Sequence, residues 1–258
     1  MTDISIDVSG MSVSFGGLKA LDDVSFQVGA GEIVGLIGPN GSGKTTALNC
    51  LSGYLKPNFG LIKFKGKDIT GLAPEIIANH GLMRTFQVTK IARRMTLIEN
   101  MLAGSDIASS ETLMSSVFRR RALMARLPGQ VEHIRELLAA VKLSHLENEY
   151  AEVLSGGQQR LLSIALVLIR KPDVILLDEP AAGVHPDLAG ELIEMINGIR
   201  KDTGTSFLII EHNMQFIAEV CDNVVVLDAG KNLASGPPDL IHEDPKVLEV
   251  YLGKTQDA

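Results

Sequence analysis

Alternation of apolar and polar residues marks two stretches near the N-terminus, at residues 11–15 and 24–28. A period of two predicts strands with one buried face, as in antiparallel sheets. Residues 33–37 are apolar apart from one glycine, which predicts a fully buried strand. Helical patterning then begins at Gly43, so the N-terminal part is predicted to consist of strands followed by a first helix.

Between about residues 90 and 153 the strand patterns disappear. The sequence Thr96-Leu97-Ile98-Glu99 has the spacing of a capping box, which predicts the start of a helix. Apolar residues between Ile134 and Leu143 recur at helical spacing. We therefore predict a helical insertion in this segment.

Helices and apolar strands alternate in the remainder of the chain. This order predicts a mainly parallel sheet that is covered by helices on both faces. The predicted elements are a helix at Gln158–Arg170, a strand at Val174–Leu177, a helix near 187–201, a strand at Phe207–Ile210, a short helix, a strand at Val224–Leu227, and a last helix that starts at Asp244-Pro245 and stops at Gly253.

Composition narrows the class of protein. A chain of 258 residues, 45% hydrophobic and 21% charged, can form one large α/β domain with a smaller subdomain. The net charge of −7 argues against a nucleic-acid partner. The longest apolar stretch, Leu161–Ile169, is about half the length that crosses a bilayer. We expect a soluble protein whose two cysteines, Cys50 and Cys221, are core residues in a reducing cytosol.

The first chemical motif is GPNGSGKT at residues 38–45, which lies between a buried strand and a helix. In that context the pattern predicts a loop whose N–H groups bind phosphate, rather than an ordinary turn. Lys44 is expected to contact the β- and γ-phosphates of a nucleoside triphosphate, and Thr45 to ligate Mg²⁺. The predicted nucleotide-binding residues are Gly38, Asn40, Gly41, Ser42, Gly43, Lys44, Thr45 and Thr46.

Acidic residues and a histidine follow two of the predicted strands. In VILLDEP, Asp178 ends a buried strand, where α/β sheets bind ligands, and is expected to hold Mg²⁺. Glu179 is then positioned to deprotonate an attacking water, although without the phosphate loop it would be interpreted as a helix cap. His212 follows the strand at Phe207–Ile210 and is either a γ-phosphate contact or an ordinary polar residue.

The motif LSGGQQR at residues 154–160 places a serine and two glycines at a helix start. Unpaired N–H groups there form an anion site. The chain already has a phosphate loop, so the sequence raises the question of whose phosphate Ser155, Gly156, Gly157 and Gln158 bind.

The motifs together resemble the nucleotide-binding subunits of ABC transporters over essentially the whole chain. They occur in the family's order: Phe15, GPNGSGKT, Phe86-Gln87, LSGGQQR, VILLDEP and Glu211-His212. The resemblance implies a P-loop NTPase core with a mainly parallel sheet flanked by helices, an N-terminal antiparallel β subdomain and an α-helical insertion. It implies one nucleotide-binding domain over 1–258, with a core of about 1–88 plus 158–258 and a helical subdomain of about 89–157.

The resemblance also implies a mechanism. Two cassettes face each other head to tail, and the helix start at 155–158 contacts the γ-phosphate of ATP bound by the partner. Phe15 is expected to stack on adenine, unless it is a core residue of its strand. Gln87 is implied as a catalytic residue and Mg²⁺ ligand, which makes Glu179, His212 and Gln87 the catalytic set and Thr45, Gln87 and Asp178 the metal set.

The implied partners are a second ATPase subunit, identical or different, integral membrane permease subunits and, indirectly, a substrate-binding protein. The permease is expected to dock near Ile91 and Met95, on the cytoplasmic face of the inner or plasma membrane. The run Arg119–Arg121 is either a solvated helix face or a lipid contact. No nucleic acid is expected.

Three segments resemble the ATPases of branched-chain amino-acid importers: residues 84–87, 178–183 and 250–253. Urea or amide importers, lipopolysaccharide exporters and soluble non-transport ABC ATPases are the alternatives. A GTPase is disfavoured because the chain has no Asn-Lys-x-Asp motif. His185 stands where the family usually has aspartate, so communication between the two nucleotide sites is expected to differ. The variant His185→Asp is expected to keep ATPase activity within a few-fold.

Overall fold

The computed structural model describes residues 3–85, 91–105, 129–183 and 186–253. The chain divides into two compact units, Met1–Arg84 with Asp173–Ala258, and Thr85–Pro172. The division predicted from the sequence, with a helical part at about 89–157, stays a prediction. In the structure the second unit runs on to Pro172 because the helix Gly156–Leu168 packs on the helix Leu97–Gly104.

One sheet of the first unit is four-stranded and antiparallel, with strand order β2-β1-β4-β5. The two predicted N-terminal strands lie within its longest members, and Met11 and Val13 point into the core as their alternation requires. The strand bounds are β1 Ile4–Phe15, β2 Leu18–Gly29, β4 Phe59–Phe64 and β5 Lys67–Asp68.

The other sheet has six strands in the order β10-β9-β3-β8-β7-β6. All neighbouring strands are parallel except β10, which pairs antiparallel with β9. This confirms the predicted mainly parallel sheet; β6 and β10 were not predicted. The bounds are β3 Ile33–Ile37, β6 Leu82–Arg84, β7 Val174–Asp178, β8 Ser206–Ile210, β9 Asn223–Asp228 and β10 Lys231–Gly236.

Helices of the first unit follow the strands in the order that the sequence indicates. Helix α1 follows β3 through the glycine-rich loop, and the later helices alternate with β7, β8 and β10. Their bounds are α1 Lys44–Leu51, α2 Pro74–Asn79, α6 Pro186–Thr203, α7 Met214–Val220, α8 Pro238–Glu243 and α9 Pro245–Gly253.

The second unit contains α3 Leu97–Gly104, α4 at residues 129–140 and α5 Gly156–Leu168. Helix α3 starts at the predicted capping box, in which the Thr96 hydroxyl accepts the Glu99 N–H and the Glu99 carboxylate accepts the Thr96 N–H. Helix α5 begins two residues before the predicted Gln158, because Ser155 is its N-cap. It ends at Leu168, before the predicted Arg170.

The register of the parallel strands places three strand ends at one edge of the six-stranded sheet. Leu36 of β3 and Asp178 of β7 both pair with Ile210 at the end of β8. The loops that follow β3, β7 and β8 therefore start side by side. None of the helices within the described ranges is both long and apolar enough to span a membrane.

Candidate functional site

Two glycines allow the loop between β3 and α1 to pack closely against neighbouring residues. Gly38 has φ +147°, and a Cβ there would lie 2.1 Å from the Leu227 carbonyl oxygen. Gly43 has φ +104°, and a Cβ there would lie 2.6 Å from the Leu21 side chain. Only glycine combines these backbone angles with such close packing, so the loop conformation depends on both residues.

Lys44 is the first residue of α1, and its side chain folds back over the loop. Its Nζ donates to the carbonyl oxygens of Gly38, at 2.7 Å, and Pro39, at 2.9 Å. Burial lowers the pKa of Lys44, while the nearby carboxylates of Glu179 and Asp178 act in the opposite direction. The ammonium group is thus placed where the loop closes, close to the two acidic residues that follow β7.

Several features of the loop fit a phosphate group. The Ser42 hydroxyl is buried and, among the described residues, makes no hydrogen bond. Gly41 faces open space, since a Cβ there would meet nothing within 4 Å. Thr45 and Asn40 are exposed and Thr46 is half-buried. A phosphate would satisfy the hydroxyl and face the ammonium of Lys44, so these residues suit the predicted ligand.

Asp178 ends β7 and forms a buried ion pair that the sequence did not predict. Arg84, at the end of β6, donates to Asp178 Oδ2 at 2.8 Å, and each side chain is less than one-tenth exposed. The same guanidinium donates to Asn49 Oδ1 at 2.7 Å, in the last turn of α1, and to Oγ of the C-cap residue Ser52 at 3.3 Å. Arg84 therefore connects the carboxylate to the helix that carries Lys44.

Glu179 occupies the left-handed region, with φ 48°, where non-glycine residues are rare. Its N–H donates to the Ile210 carbonyl oxygen at 2.9 Å, which fixes the turn after β7 to the end of β8. Backbone strain of this kind is concentrated at functional sites. His212 follows at the same strand end, with its side chain 62% exposed.

Phe15 lies at the end of β1 and is 53% exposed. Its alternation with Val13 therefore does not make it a core residue, and the strand-core alternative is wrong. A half-exposed aromatic ring is available for stacking on a base. Adenine stacking stays a prediction.

The second unit carries the LSGGQ residues. The Ser155 hydroxyl accepts the Gln158 N–H, and the side-chain Oε1 of Gln158 accepts the Ser155 N–H, which completes a capping box. The first N–H that bonds back to Ser155 O is that of Gln159, so Gly156 and Gly157 lie in the helix's N-terminal turn. Among the predicted docking residues, Met95 is 42% exposed and Ile91 is half-buried.

Some predicted residues lie outside the described part of the chain. These are Gln87 with its neighbour Phe86, His185 and the run Arg119–Arg121. The roles predicted for them stay predictions.

Two functional candidates were missed as individual residues. Arg84 was noted only as part of a family-like segment, although a charged residue directly after Leu82-Met83 in a short strand is a signal for a buried partner. Glu211 was noted only as the neighbour of His212. It is fully buried at the end of an apolar strand, and that position in the sequence is the signal that could have identified it.

The chain is similar to known proteins along nearly its full length. Residues 21–182 match the family model described as ABC transporter. The chain is 36% identical over 249 residues to the high-affinity branched-chain amino acid transport ATP-binding protein BraF of Pseudomonas aeruginosa, covering 96% of this chain and 98% of that protein. It is 36% identical over 254 residues to the corresponding LivG of Escherichia coli, covering 98% of this chain and all of that protein.

A similar solved structure is that of an ATP-binding cassette of an ABC transporter in its ADP conformation. The TM-score is 0.84 at 36% sequence identity, and the match covers 97% of this chain and 99% of the other. The predicted fold class is therefore confirmed by a solved structure as well as by the strand order.

Proposed function

The chain belongs to the ABC transporter family, and from that premise we propose that its ATP hydrolysis powers the uptake of branched-chain amino acids. The observation that carries the proposal is similarity along nearly the full length to two ATP-binding proteins that are named for this transport. The chain is an ATPase subunit, and it binds ATP. The substrate is inferred from the relatives that are named for this transport.

The first unit holds the nucleotide in this proposal. Loop N–H groups from Gly38 to Thr46, Asn40 included, surround the phosphates, and the buried ammonium of Lys44 neutralises the β- and γ-phosphate charge. Phe15 stacks on adenine. Thr45, Asp178 and Gln87 would hold Mg²⁺, which neutralises phosphate charge when bound.

Hydrolysis is assigned to the residues that follow β7 and β8. Glu179 accepts a proton from the attacking water, since it directly follows the carboxylate of Asp178 and lies close to Lys44. His212 contacts the γ-phosphate from the end of the neighbouring strand. Gln87 connects the nucleotide to the helical insertion.

A second ATPase subunit completes the site. Ser155, Gly156, Gly157 and Gln158 bind the γ-phosphate of the nucleotide held by that subunit, because an anion-binding helix start is stabilised by negative charge. Together with integral membrane permease subunits, and indirectly a substrate-binding protein, the pair acts on the cytoplasmic face of the membrane.

Reconstitution tests this proposal. The chain is expressed in its native host, purified from membranes with its associated subunits, and placed in proteoliposomes with ATP. We expect ATP-dependent uptake of labelled leucine, isoleucine or valine once the associated binding protein is supplied, and none with Glu179→Gln. Transport of urea, amides or lipopolysaccharide instead would contradict the amino-acid assignment. If no membrane subunit purified with the chain, a role in transport would be contradicted.

A further inference from the structure

Glu211 is a fully buried carboxylate at the carboxyl end of β8. Its Oε1 accepts the Ala181 N–H at 2.6 Å, and its Oε2 accepts the His212 N–H at 3.1 Å. Each oxygen is therefore occupied by a different backbone donor. One donor lies in the turn after β7, and the other belongs to the residue that follows Glu211 itself.

Two hydrogen bonds join the turn that contains Glu179 to the last residue of β8 and to the residue that follows it. The Glu179 N–H donates to the Ile210 carbonyl oxygen, and the Ala181 N–H donates to the Glu211 side chain. Glu179 carries the first of these hydrogen bonds, and it has a left-handed conformation that a non-glycine residue adopts only when its surroundings impose it. The Glu211 carboxylate supplies part of that constraint.

Burying the Glu211 carboxylate costs free energy, and the two N–H groups that its oxygens accept offset that cost. Removing a charged group from water is unfavourable, and donors must compensate for it. A glutamine has only one acceptor oxygen, so it can satisfy one of the two N–H groups but faces the other with its own NH₂. The chemistry of the site therefore distinguishes glutamate from its closest isostere.

We propose that Glu211 is a positioning residue for ATP hydrolysis. Its carboxylate fixes the turn after β7 to the end of β8, and thereby orients Glu179 toward the attacking water and His212 toward the γ-phosphate. The inference rests on the roles proposed for those two residues. In this proposal Glu211 acts through the backbone N–H groups of Ala181 and His212, which its carboxylate accepts.

The test compares Glu211→Gln and Glu211→Ala with the unmodified transporter complex. Displacing a catalytic group by a fraction of an ångström slows the chemical step, so we expect kcat to fall about 10- to 100-fold, with the alanine variant the slower. KM and the Kd for a slowly hydrolysed ATP analogue stay near their unmodified values, because the phosphate loop is untouched. A merely structural role would lower activity only in proportion to the folded fraction, measured by thermal unfolding.

Glu32→Gln is the matched control. Glu32 is a half-buried carboxylate that likewise accepts two donors, the Gly29 N–H at 2.6 Å and a side-chain N–H of Asn223. It precedes β3, at the opposite end of the sheet from Glu211. We expect it to lose stability while keeping kcat. If Glu211→Gln keeps kcat as Glu32→Gln does, the proposal is overturned, and this variant decides the matter should the alanine variant fail to fold.

The variant Glu179→Gln distinguishes failure of the role proposed for Glu211 from failure of the role proposed for Glu179. An inactive Glu179→Gln together with a fully active Glu211→Gln overturns only the role of Glu211. An active Glu179→Gln removes the proposed base, and with it the group that Glu211 is said to position. A loss of kcat in both variants, with ATP affinity retained, supports the proposal.

Discussion

At the scale of single residues, the position of Lys44 is the feature most directly tied to nucleotide binding. Its ammonium is buried against two loop carbonyl groups, and burial lowers its pKa. Triphosphate oxygens would add negative charge beside it and favour the protonated form. Lys44 is therefore held in place before the nucleotide arrives, and the binding of phosphate offsets the cost of burying its charge.

Replacing Lys44 by alanine is expected to weaken ATP binding about 10- to 100-fold, since hydrogen bonds to charged groups contribute roughly 1.5–3 kcal/mol. The Kd for ATP, measured by titration calorimetry, checks this. Lys67→Ala is the control, because it removes the same charge from an exposed position of β5 in the same unit. Tight ATP binding by Lys44→Ala would contradict the assignment of the loop as a phosphate site.

At the scale of secondary-structure elements, Arg84 joins three of them. It lies on β6, pairs with Asp178 on β7, and donates to Asn49 and Ser52 at the end of α1. These contacts fix the Asp178 carboxylate relative to the helix that begins at Lys44. The ion pair is buried, so neither charge is well solvated without the other.

Arg84→Ala is expected to lower the free energy of unfolding by about 3–5 kcal/mol, because it leaves a buried carboxylate uncompensated. Chemical denaturation measures the change. In the same unit Arg200 pairs with Asp222 at 3.0 Å, with both side chains about one-third exposed. Arg200→Ala is expected to cost no more than about 1 kcal/mol. If both variants lost the same free energy of unfolding, the buried Arg84–Asp178 pair would contribute no more than the exposed pair.

The contrast between these elements shows how far the sequence could predict the fold. Buried strands such as Ile33–Ile37 and the capping box at Thr96 depend on neighbours in sequence, so their patterns predicted them correctly. The Arg84–Asp178 pair joins residues 94 positions apart and exists only because β6 lies beside β7. Strand order in a parallel sheet is set by packing of distant segments, which a single sequence does not display.

The same reasoning applies to Glu211. Apolar residues predicted β8, and the following Glu-His was recognised as a family motif. Which backbone groups the carboxylate would accept depended on the turn after β7, whose left-handed Glu179 has no glycine signal. Local chemistry was readable from the sequence, whereas the hydrogen bonds across two strand ends required the structure.

At the scale of the whole molecule, the phosphate loop and the LSGGQ helix start belong to two different compact units. In the proposed head-to-tail pair, each nucleotide is bound by the loop of one subunit and by the helix start of the other. ATP that is bound more tightly by the pair than by a single subunit then stabilises the pair by mass action. Hydrolysis removes the phosphate that both subunits contact.

Glu179→Gln is therefore expected to trap an ATP-bound pair, since it keeps the binding residues but lacks the base. Small-angle scattering of the variant with ATP, alone or with its membrane subunits, should show the larger species. Adding Ser155→Ala should abolish it, because the hydroxyl and the helix start that it caps would no longer bind the partner's γ-phosphate. The Glu179→Gln pair should form with ATP and not with ADP.

Loss of a helix cap alone has to be distinguished from loss of the phosphate contact, and the chain offers a matched control. Thr96 caps α3 with the same reciprocal capping box as Ser155 in α5. Thr96→Ala and Ser155→Ala should therefore lose similar stability, about 1 kcal/mol each, by thermal unfolding. In the Glu179→Gln background only Ser155→Ala should prevent the ATP-dependent pair. If both variants still pair, Ser155 does not contact the shared nucleotide. If the Glu179→Gln protein stays monomeric even with its membrane subunits, the proposal of a site shared by two subunits is wrong.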